Sequence, residues 1–249
     1  MSRSYIIFLA IGLVLVSANL QTPKATIFLV GDSTCADKEV KAYPETGWGT
    51  PFQYFFNDSV VVENHAKNGR STKSFMEEGR WEKVTGRLKE GDYVFIQFGH
   101  NDEVPTKVGR YTTPKEFQTN LRKYVADTRS LGAFPVLLTP VTRRSFEGGV
   151  LKDTHEQYAQ LIREVATTED VPLIDMTRKS MEIVNAIGET RSRWLFHHLE
   201  AGEHPNYPNG VSDNTHFNEL GARKMAQLVL EGVRELNLDL QDQIVKREK

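Results

Sequence analysis

The chain has 249 residues, of which 39% are hydrophobic, 26% charged and 10% aromatic. This balance is that of a globular protein and excludes a disordered or collagen-like chain. The formal net charge is −2. Proteins that bind nucleic acid or an anionic membrane usually carry an excess of Lys and Arg, which this chain lacks. We therefore expect neither as a ligand.

The first 18 residues have the pattern of an export signal. Arg3 precedes an apolar run over residues 5–16, and the small residues Ser17 and Ala18 follow it. This order is typical of a secretory signal peptide. A membrane anchor is the alternative, although spanning a bilayer takes about 20 apolar residues and this run is shorter. We predict a signal peptide over residues 1–18, a secreted or periplasmic protein without a membrane partner, and one domain over residues 19–249.

Cys35 is the only cysteine of the chain, so no intrachain disulfide can form. Stability must then come from a packed core. We expect the Cys35 thiol to be a small buried group rather than a nucleophile.

Short apolar runs alternate with longer amphipathic stretches. The predicted strands are residues 26–30, 60–64, 93–98, 135–138 and 171–174. The predicted helices are residues 48–56, 72–88, 114–131, 153–168, 176–187 and 218–236. Nearly continuous apolar strands between helices indicate a parallel sheet covered on both faces. The pattern predicts an α/β fold, a three-layer α/β/α sandwich around about five parallel strands.

Polar and glycine-rich segments directly follow four of these strands. They are residues 31–34, 65–69, 99–102 and 139–144. Ligands of such folds bind beyond the carboxyl ends of the strands, so we expect these segments to meet at one edge of the sheet.

Ser33 follows the first strand and is the candidate nucleophile, which requires a base and an orienting acid. Asp213 lies three residues before His216, in a predicted turn ahead of the last helix. From a turn, Asp213 can accept the imidazole Nδ1–H and leave Nε2 free to take the serine proton. The alternatives are that Ser33 and Asp213 cap local structure and that His216 is a surface histidine.

An oxyanion also needs hydrogen-bond donors. Gly69 lets a backbone N–H approach a substrate closely, and Asn101 can supply an amide N–H. Together with the backbone N–H of Ser33 they make three candidate donors. Both residues could equally be ordinary turn residues.

The order and spacing of these motifs resemble the four sequence blocks of the SGNH hydrolases, also called the GDSL family. The resemblance extends from Thr26 to about Leu230. It implies the SGNH, flavodoxin-like form of the α/β/α sandwich. It further implies Ser33 as nucleophile, Asp213 and His216 as the rest of a triad, Ser33, Gly69 and Asn101 as the oxyanion hole, and no cofactor.

Thr34 departs from the nominal family motif, which has Leu after the serine. The resulting Gly-Asp-Ser-Thr resembles the branch of rhamnogalacturonan acetylesterases, and so do residues 47–49, 68–71, 98–102 and 139–144. This resemblance implies release of acetyl groups from a plant cell-wall polysaccharide, namely pectic rhamnogalacturonan. The expected partner is accordingly an acetylated polysaccharide or oligosaccharide.

Two residues are candidates for substrate binding. Trp48, between two glycines, could stack on a sugar ring, and Arg143 could pair with a uronate carboxylate through its planar fork. The alternatives are a core tryptophan and a solvated arginine.

The sequence leaves other functions open. A metal site is one of them, because four histidines occur in the C-terminal part of the chain, namely His197, His198, His204 and His216. No tight ligand motif is present, and we therefore expect no metal. An SGNH lipase or thioesterase and an acetylxylan esterase remain alternatives. A non-catalytic carbohydrate-binding protein would be expected to lack one of Ser33, Asp213 or His216, and all three are present.

Overall fold

The structure is a computed structural model that describes residues 25–245, so the predicted signal peptide lies outside the described residues. Its main sheet has five parallel strands, which are β1 (Ala25–Gly31), β2 (Val60–Asn64), β3 (Tyr93–Gln97), β4 (Phe134–Leu138) and β7 (Leu173–Ile174). Across the sheet they lie in the order β2-β1-β3-β4-β7. The five strands predicted from the sequence are confirmed.

Helices cover both faces of this sheet. They are α1 (Gly49–Phe52), α2 (Thr72–Glu77), α3 (Arg80–Thr85), α4 (Pro114–Ser130), α5 (Glu156–Thr168), α6 (Met176–Ile187), α7 (Glu189–Ser192) and α8 (Glu219–Glu235). One core cluster packs α1, α6 and α8 on one face, and a second packs α2, α3, α4 and α5 on the other. The predicted three-layer sandwich is confirmed. Within residues 25–245, no helix is long and apolar enough to cross a membrane.

The central strands are buried on both faces because side chains of a strand alternate between the faces. In β1, Ile27 and Leu29 join one core cluster, whereas Phe28 and Val30 join the other. This double burial explains why the sequence shows a continuous apolar run and no polar alternation.

Two predicted helices are shorter than expected. The helix predicted over residues 72–88 is divided into α2 and α3 by Gly79, which has a left-handed φ of 66°. The helix predicted over residues 48–56 reduces to α1 followed by a 3₁₀ turn, Gln53–Phe55.

Two antiparallel hairpins were not predicted. The first pairs β5 (Phe146–Glu147) with β6 (Val150–Leu151), and the second pairs β8 (Phe196–Leu199) with β9 (Val211–Phe217). Polar residues fill much of β8 and β9, and the apolar run that marks a buried strand is missing there. The second hairpin carries Asp213 and His216.

The strand order places a switch point beside β1. The chain moves from β1 outward to β2 on one side and then to β3 on the other. Loops at such a point diverge and leave a crevice beyond the carboxyl ends of the strands. Ser33 follows β1 and Asn101 follows β3, so both lie at this crevice.

Trp48 belongs to the core and not to a sugar-binding surface, which corrects the expectation from sequence. It is 1% exposed, and its indole Nε1–H donates to Gln97 Oε1 at 2.7 Å. The backbone N–H groups of Trp48 and Gly49 donate to the carbonyl oxygens of Thr34 and Cys35. The Gly-flanked tryptophan therefore supports the turn that carries Ser33.

The substitution Trp48→Phe should lower the free energy of unfolding by about 1–3 kcal/mol, because it removes the donor at 2.7 Å from the buried Gln97 Oε1 and leaves that oxygen only the Thr34 hydroxyl at 3.4 Å. Urea unfolding measures this loss. Trp194→Phe is the matched control, since Trp194 is 71% exposed and should change stability by less than about 0.5 kcal/mol. Equal stability of the two variants would contradict the structural role of Trp48.

Candidate active site

Ser33 lies in a tight turn shaped by the acid that precedes it. Asp32 is fully buried, and its Oδ1 accepts hydrogen bonds from the Thr34 backbone N–H at 3.0 Å and from the Thr34 hydroxyl at 2.8 Å. Lys38 Nζ donates to the Ser33 carbonyl oxygen at 2.6 Å. The turn is thus held from both sides, and the side chain of Ser33 faces a pocket.

Asp213 and His216 lie in strand β9, not in a free turn as the sequence suggested. Ser212 pairs with His198 and Phe217 pairs with Phe196, so the pairing of β8 with β9 is irregular between these two positions. The four residues from 213 to 216 stand opposite a single residue of β8. This bulge turns Asp213 and His216 out of the ladder and toward Ser33.

The three side chains form a continuous hydrogen-bonded chain. His216 Nε2 is 2.8 Å from Ser33 Oγ, and His216 Nδ1 is 2.7 Å from Asp213 Oδ2. Because an ionised carboxylate only accepts hydrogen bonds, Nδ1 carries the proton. The lone pair of Nε2 then accepts from the serine hydroxyl. This is the geometry required of a nucleophile, its base and the acid that orients the base.

Asp213 is held in its charged form. Burial by itself raises the pKa of this carboxyl, but the hydrogen bond and the charge of His216 and the backbone N–H groups of His216 and Thr215 hold the pKa well below its usual range. Asp213 therefore stays ionised at neutral pH and can stabilise a protonated His216.

Three donors face the same pocket. Gly69 has a left-handed φ of 74°, which favours glycine, and it lines the pocket with Ser33 and Asn101. Within residues 25–245, the backbone N–H groups of Ser33 and Gly69 make no hydrogen bond. Unpaired donors at a pocket are available for an oxyanion.

The amide of Asn101 is oriented by a residue that the sequence did not reveal. Lys107 Nζ donates to Asn101 Oδ1 at 2.9 Å, and Asn101 Nδ2 donates to the Arg70 carbonyl oxygen at 2.9 Å. These contacts fix which side of the amide carries the N–H groups, and the second Nδ2 hydrogen is left over. No motif marks Lys107, because it lies in an irregular loop between β3 and α4.

The pocket has a volume of about 490 Å³. Every residue that lines it is polar, charged or glycine. Arg143, the candidate for pairing with a uronate carboxylate, lines the pocket, and its guanidinium pairs with Glu103 Oε1 at 2.7 Å. Arg144 does not line the pocket; its backbone N–H and its guanidinium bind Asn214 in the bulge of β9.

The histidines considered for a metal do not gather around one point. His198 bonds to Asn214 and Ser212, and His216 bonds to Ser33 and Asp213. In the part of the chain that the structure describes, no three His, Cys, Asp or Glu side chains form a group able to hold a metal ion.

A parallel α/β/α sandwich with linked serine, histidine and aspartate side chains at its strand ends defines a class, the serine hydrolases. Comparison with known proteins agrees with it. The model of the GDSL-like lipase/acylhydrolase family matches residues 29–224. The chain belongs to this family and is a carboxylic ester hydrolase.

Two relatives from Bacillus subtilis (strain 168) match almost the whole chain. The rhamnogalacturonan acetylesterase RhgT is 45% identical over 224 residues, which cover 89% of this chain and 95% of the relative. The probable rhamnogalacturonan acetylesterase YesY is 36% identical over 225 residues, which cover 88% and 97%. Among solved structures, the YxiM protein of Bacillus subtilis superimposes with a TM-score of 0.75 at 25% identity, covering 88% of this chain and 58% of that one.

Asn101→Ala should lower kcat on a neutral acetyl ester by about 10²–10³-fold, the usual effect of removing an oxyanion donor. Lys107→Met should lower kcat by about tenfold with little change in KM, because it only frees the Asn101 amide to rotate. Steady-state kinetics on p-nitrophenyl acetate measure both effects. Adding Lys107→Met to Asn101→Ala should cost nothing further, and full additivity would contradict the link.

His100 should make stability depend on pH. Burial, and then the charges of His155 and Arg143, hold the pKa of His100 well below its ordinary value of 6.5. The native imidazole stays neutral while the unfolded chain takes up a proton, so the contribution of His100 to the free energy of unfolding should fall as the pH drops below about 6.5. The slope is at most about 1.4 kcal/mol per pH unit. Asp102, whose pKa burial raises to about 7, contributes in the opposite direction, so the effect of His100 is isolated by comparison with a variant.

Urea unfolding at about pH 7.5 and about pH 5 measures this effect. The stability difference between wild type and His100→Gln should shrink at the lower pH, because the variant lacks the titrating group. A difference that stays constant would show that His100 titrates alike in both states.

Proposed function

We propose that this protein is a secreted carbohydrate esterase that removes acetyl groups from a plant cell-wall polysaccharide, namely rhamnogalacturonan. The observation that carries the proposal is the hydrogen-bonded chain of Ser33, His216 and Asp213 at the edge of a polar pocket. The identity of the polysaccharide is proposed from the names of the two relatives.

In the first step His216 Nε2 takes the Ser33 proton while Ser33 Oγ attacks the acetyl carbonyl carbon. The carbonyl oxygen becomes an anion and is held by the backbone N–H groups of Ser33 and Gly69 and by Asn101 Nδ2. The bond to the sugar oxygen then breaks, and His216 returns the proton to that oxygen. The products are a free sugar hydroxyl and an acetylated Ser33.

In the second step water replaces the sugar. His216 takes a proton from the water molecule, and the resulting hydroxide attacks the acetyl carbon of the acyl-enzyme. The same donors hold the second oxyanion. Its collapse breaks the bond to Ser33 Oγ, His216 gives the proton back to Ser33, and acetic acid leaves and loses its own proton to solvent to become acetate. Asp213 stabilises the charged imidazole in both steps.

The lining of the pocket favours a small acyl group over a long one. A lipase would have to bury an acyl chain against apolar side chains, and the lining offers polar and charged groups instead. An acetyl group exposes little apolar surface and a sugar presents hydroxyl groups. A polar pocket therefore suits an acetylated sugar better than a lipid or an acyl thioester.

Export belongs to the proposal as well. A polysaccharide of the plant cell wall lies outside the cell that degrades it, and the pattern of residues 1–18 is that of an export signal. The N-terminal sequence of the protein recovered from the periplasm or the medium tests this, and it should begin near residue 19.

Acetate release by wild type and Ser33→Ala tests the function. Wild type should release acetate from acetylated rhamnogalacturonan faster than it releases acetate from acetylated xylan or the long-chain acid from a long-chain acyl ester. Ser33→Ala should lower each rate by about 10⁴-fold or more, because it removes the nucleophile. Ser59→Ala, at a half-buried turn position before β2 and outside the pocket, is the matched control.

Each competing outcome points to a different function. Activity that survives in Ser33→Ala would overturn the serine mechanism. A preference for the long acyl chain would favour a lipase, and a preference for xylan would favour an acetylxylan esterase. Binding of the polysaccharide without acetate release would favour a non-catalytic binding protein.

A further inference from the structure

One wall of the pocket carries three positive charges, on Lys107, Arg110 and Arg143. The charge of Arg143 is balanced by Glu103 at 2.7 Å. Within residues 25–245, Lys107 and Arg110 have no carboxylate within ion-pair distance. This wall therefore holds two uncompensated cations.

The carboxylates that line the pocket do not offset these cations. Glu45 pairs with Lys38 at 2.7 Å, and Asp213 pairs with His216 at 2.7 Å. Both carboxylates are thus satisfied by partners of their own. An anion that enters the pocket would meet Lys107 and Arg110 without a competing internal partner.

The three cations line one pocket and repel one another. Burial lowers the pKa of Lys107, and the charges of Arg143 and Arg110 lower it further. A bound anion would relieve this repulsion, so the wall favours a negatively charged ligand over a neutral one.

Arg110 is the cation that is free to bind such a ligand. Its side chain makes no hydrogen bond within the described residues, whereas Lys107 is engaged with Asn101. The Arg110 Nη1 atom lies 3.0 Å from the point where a Cβ would stand on Gly69. The planar fork of the guanidinium therefore sits beside a candidate oxyanion donor, within the reach of one sugar ring.

We propose that Arg110 binds a free carboxylate on a uronic acid residue that carries or adjoins the acetylated hydroxyl. The inference rests on the proposed function and adds the residue that selects acidic over neutral substrates. A guanidinium matches a carboxylate through two parallel hydrogen bonds, which a neutral ester cannot reproduce.

Arg110 could also act directly on the oxyanion, and the two roles have different consequences. Stabilisation of the oxyanion would accelerate the hydrolysis of every acetyl ester to the same extent. Recognition of a carboxylate accelerates only substrates that carry the free acid. The ratio of kcat/KM for the acidic and the neutral form of one substrate separates these roles, because any general loss of activity cancels.

The experiment compares acetylated rhamnogalacturonan oligosaccharides with free carboxyl groups and the same oligosaccharides after methyl esterification. Wild type should prefer the free acid by about tenfold, as expected of a charge-assisted contact at a partly exposed site. Arg110→Gln should bring this ratio close to one, mainly through KM. Arg110→Lys should keep an intermediate ratio, since an ammonium retains the charge without the fork.

Arg234→Gln is the matched control and should keep the wild-type ratio. Arg234 is an exposed arginine in the last turn of α8, away from the pocket. Circular dichroism and thermal melting confirm that each variant is folded.

Four results would overturn the inference. An equal rate of wild type on both forms would exclude recognition of the carboxylate and leave the proposed function intact. A preference retained in full by Arg110→Gln would exclude Arg110 as its source. An equal loss on both forms would assign Arg110 to the oxyanion. Acetate release from neither form would contradict the proposed function itself, and the inference with it.

Discussion

The hydrogen bond between Ser33 and His216 is the constraint on which the rest of the site depends. It joins two residues that are 183 positions apart in the chain. Ser33 is fixed by the end of β1, and His216 is fixed by the bulge of β9. A proton can pass between them only if both elements are held to within a few tenths of an ångström, so the scaffold must be rigid at both ends.

The core supplies this rigidity on the histidine side. Phe217, the neighbour of His216, is 1% exposed and packs against Phe196 at 5.1 Å between ring centroids. Its carbonyl oxygen accepts a hydrogen bond from the Thr46 backbone N–H at 2.8 Å. Thr46 lies two residues before the Gly-flanked Trp48, whose backbone supports the turn of Ser33. A short stretch of chain thus ties the serine turn to the histidine strand.

The site residues that follow the strands could be predicted from the sequence. The side chains that orient these residues could not. Ser33, Gly69 and Asn101 each lie within five residues of the end of a parallel strand, and parallel strands align their carboxyl ends. Lys107 and Arg110 lie in an irregular loop without hydrophobic periodicity, so no pattern in the sequence predicts that their side chains turn back toward Asn101 and Gly69. Gln97 is the one residue around the site whose supporting contact the sequence signals. A polar residue within an apolar strand needs a buried hydrogen-bond partner, and that partner is Trp48.

The sequence by itself determined the layered α/β fold and the residues that reach the crevice, because burial on two faces and glycine-rich turns leave local patterns. Only the tertiary structure decided the roles of Trp48 and Asp213. A tryptophan between two glycines has the same local sequence pattern in a binding site and in a core. The contact with Gln97, 49 residues away in sequence, places Trp48 in the core. The sequence Asp-x-x-His predicts a turn, whereas in the structure pairing with β8 makes it a bulge of strand β9. Both distinctions depend on contacts between distant segments, which a local pattern does not contain.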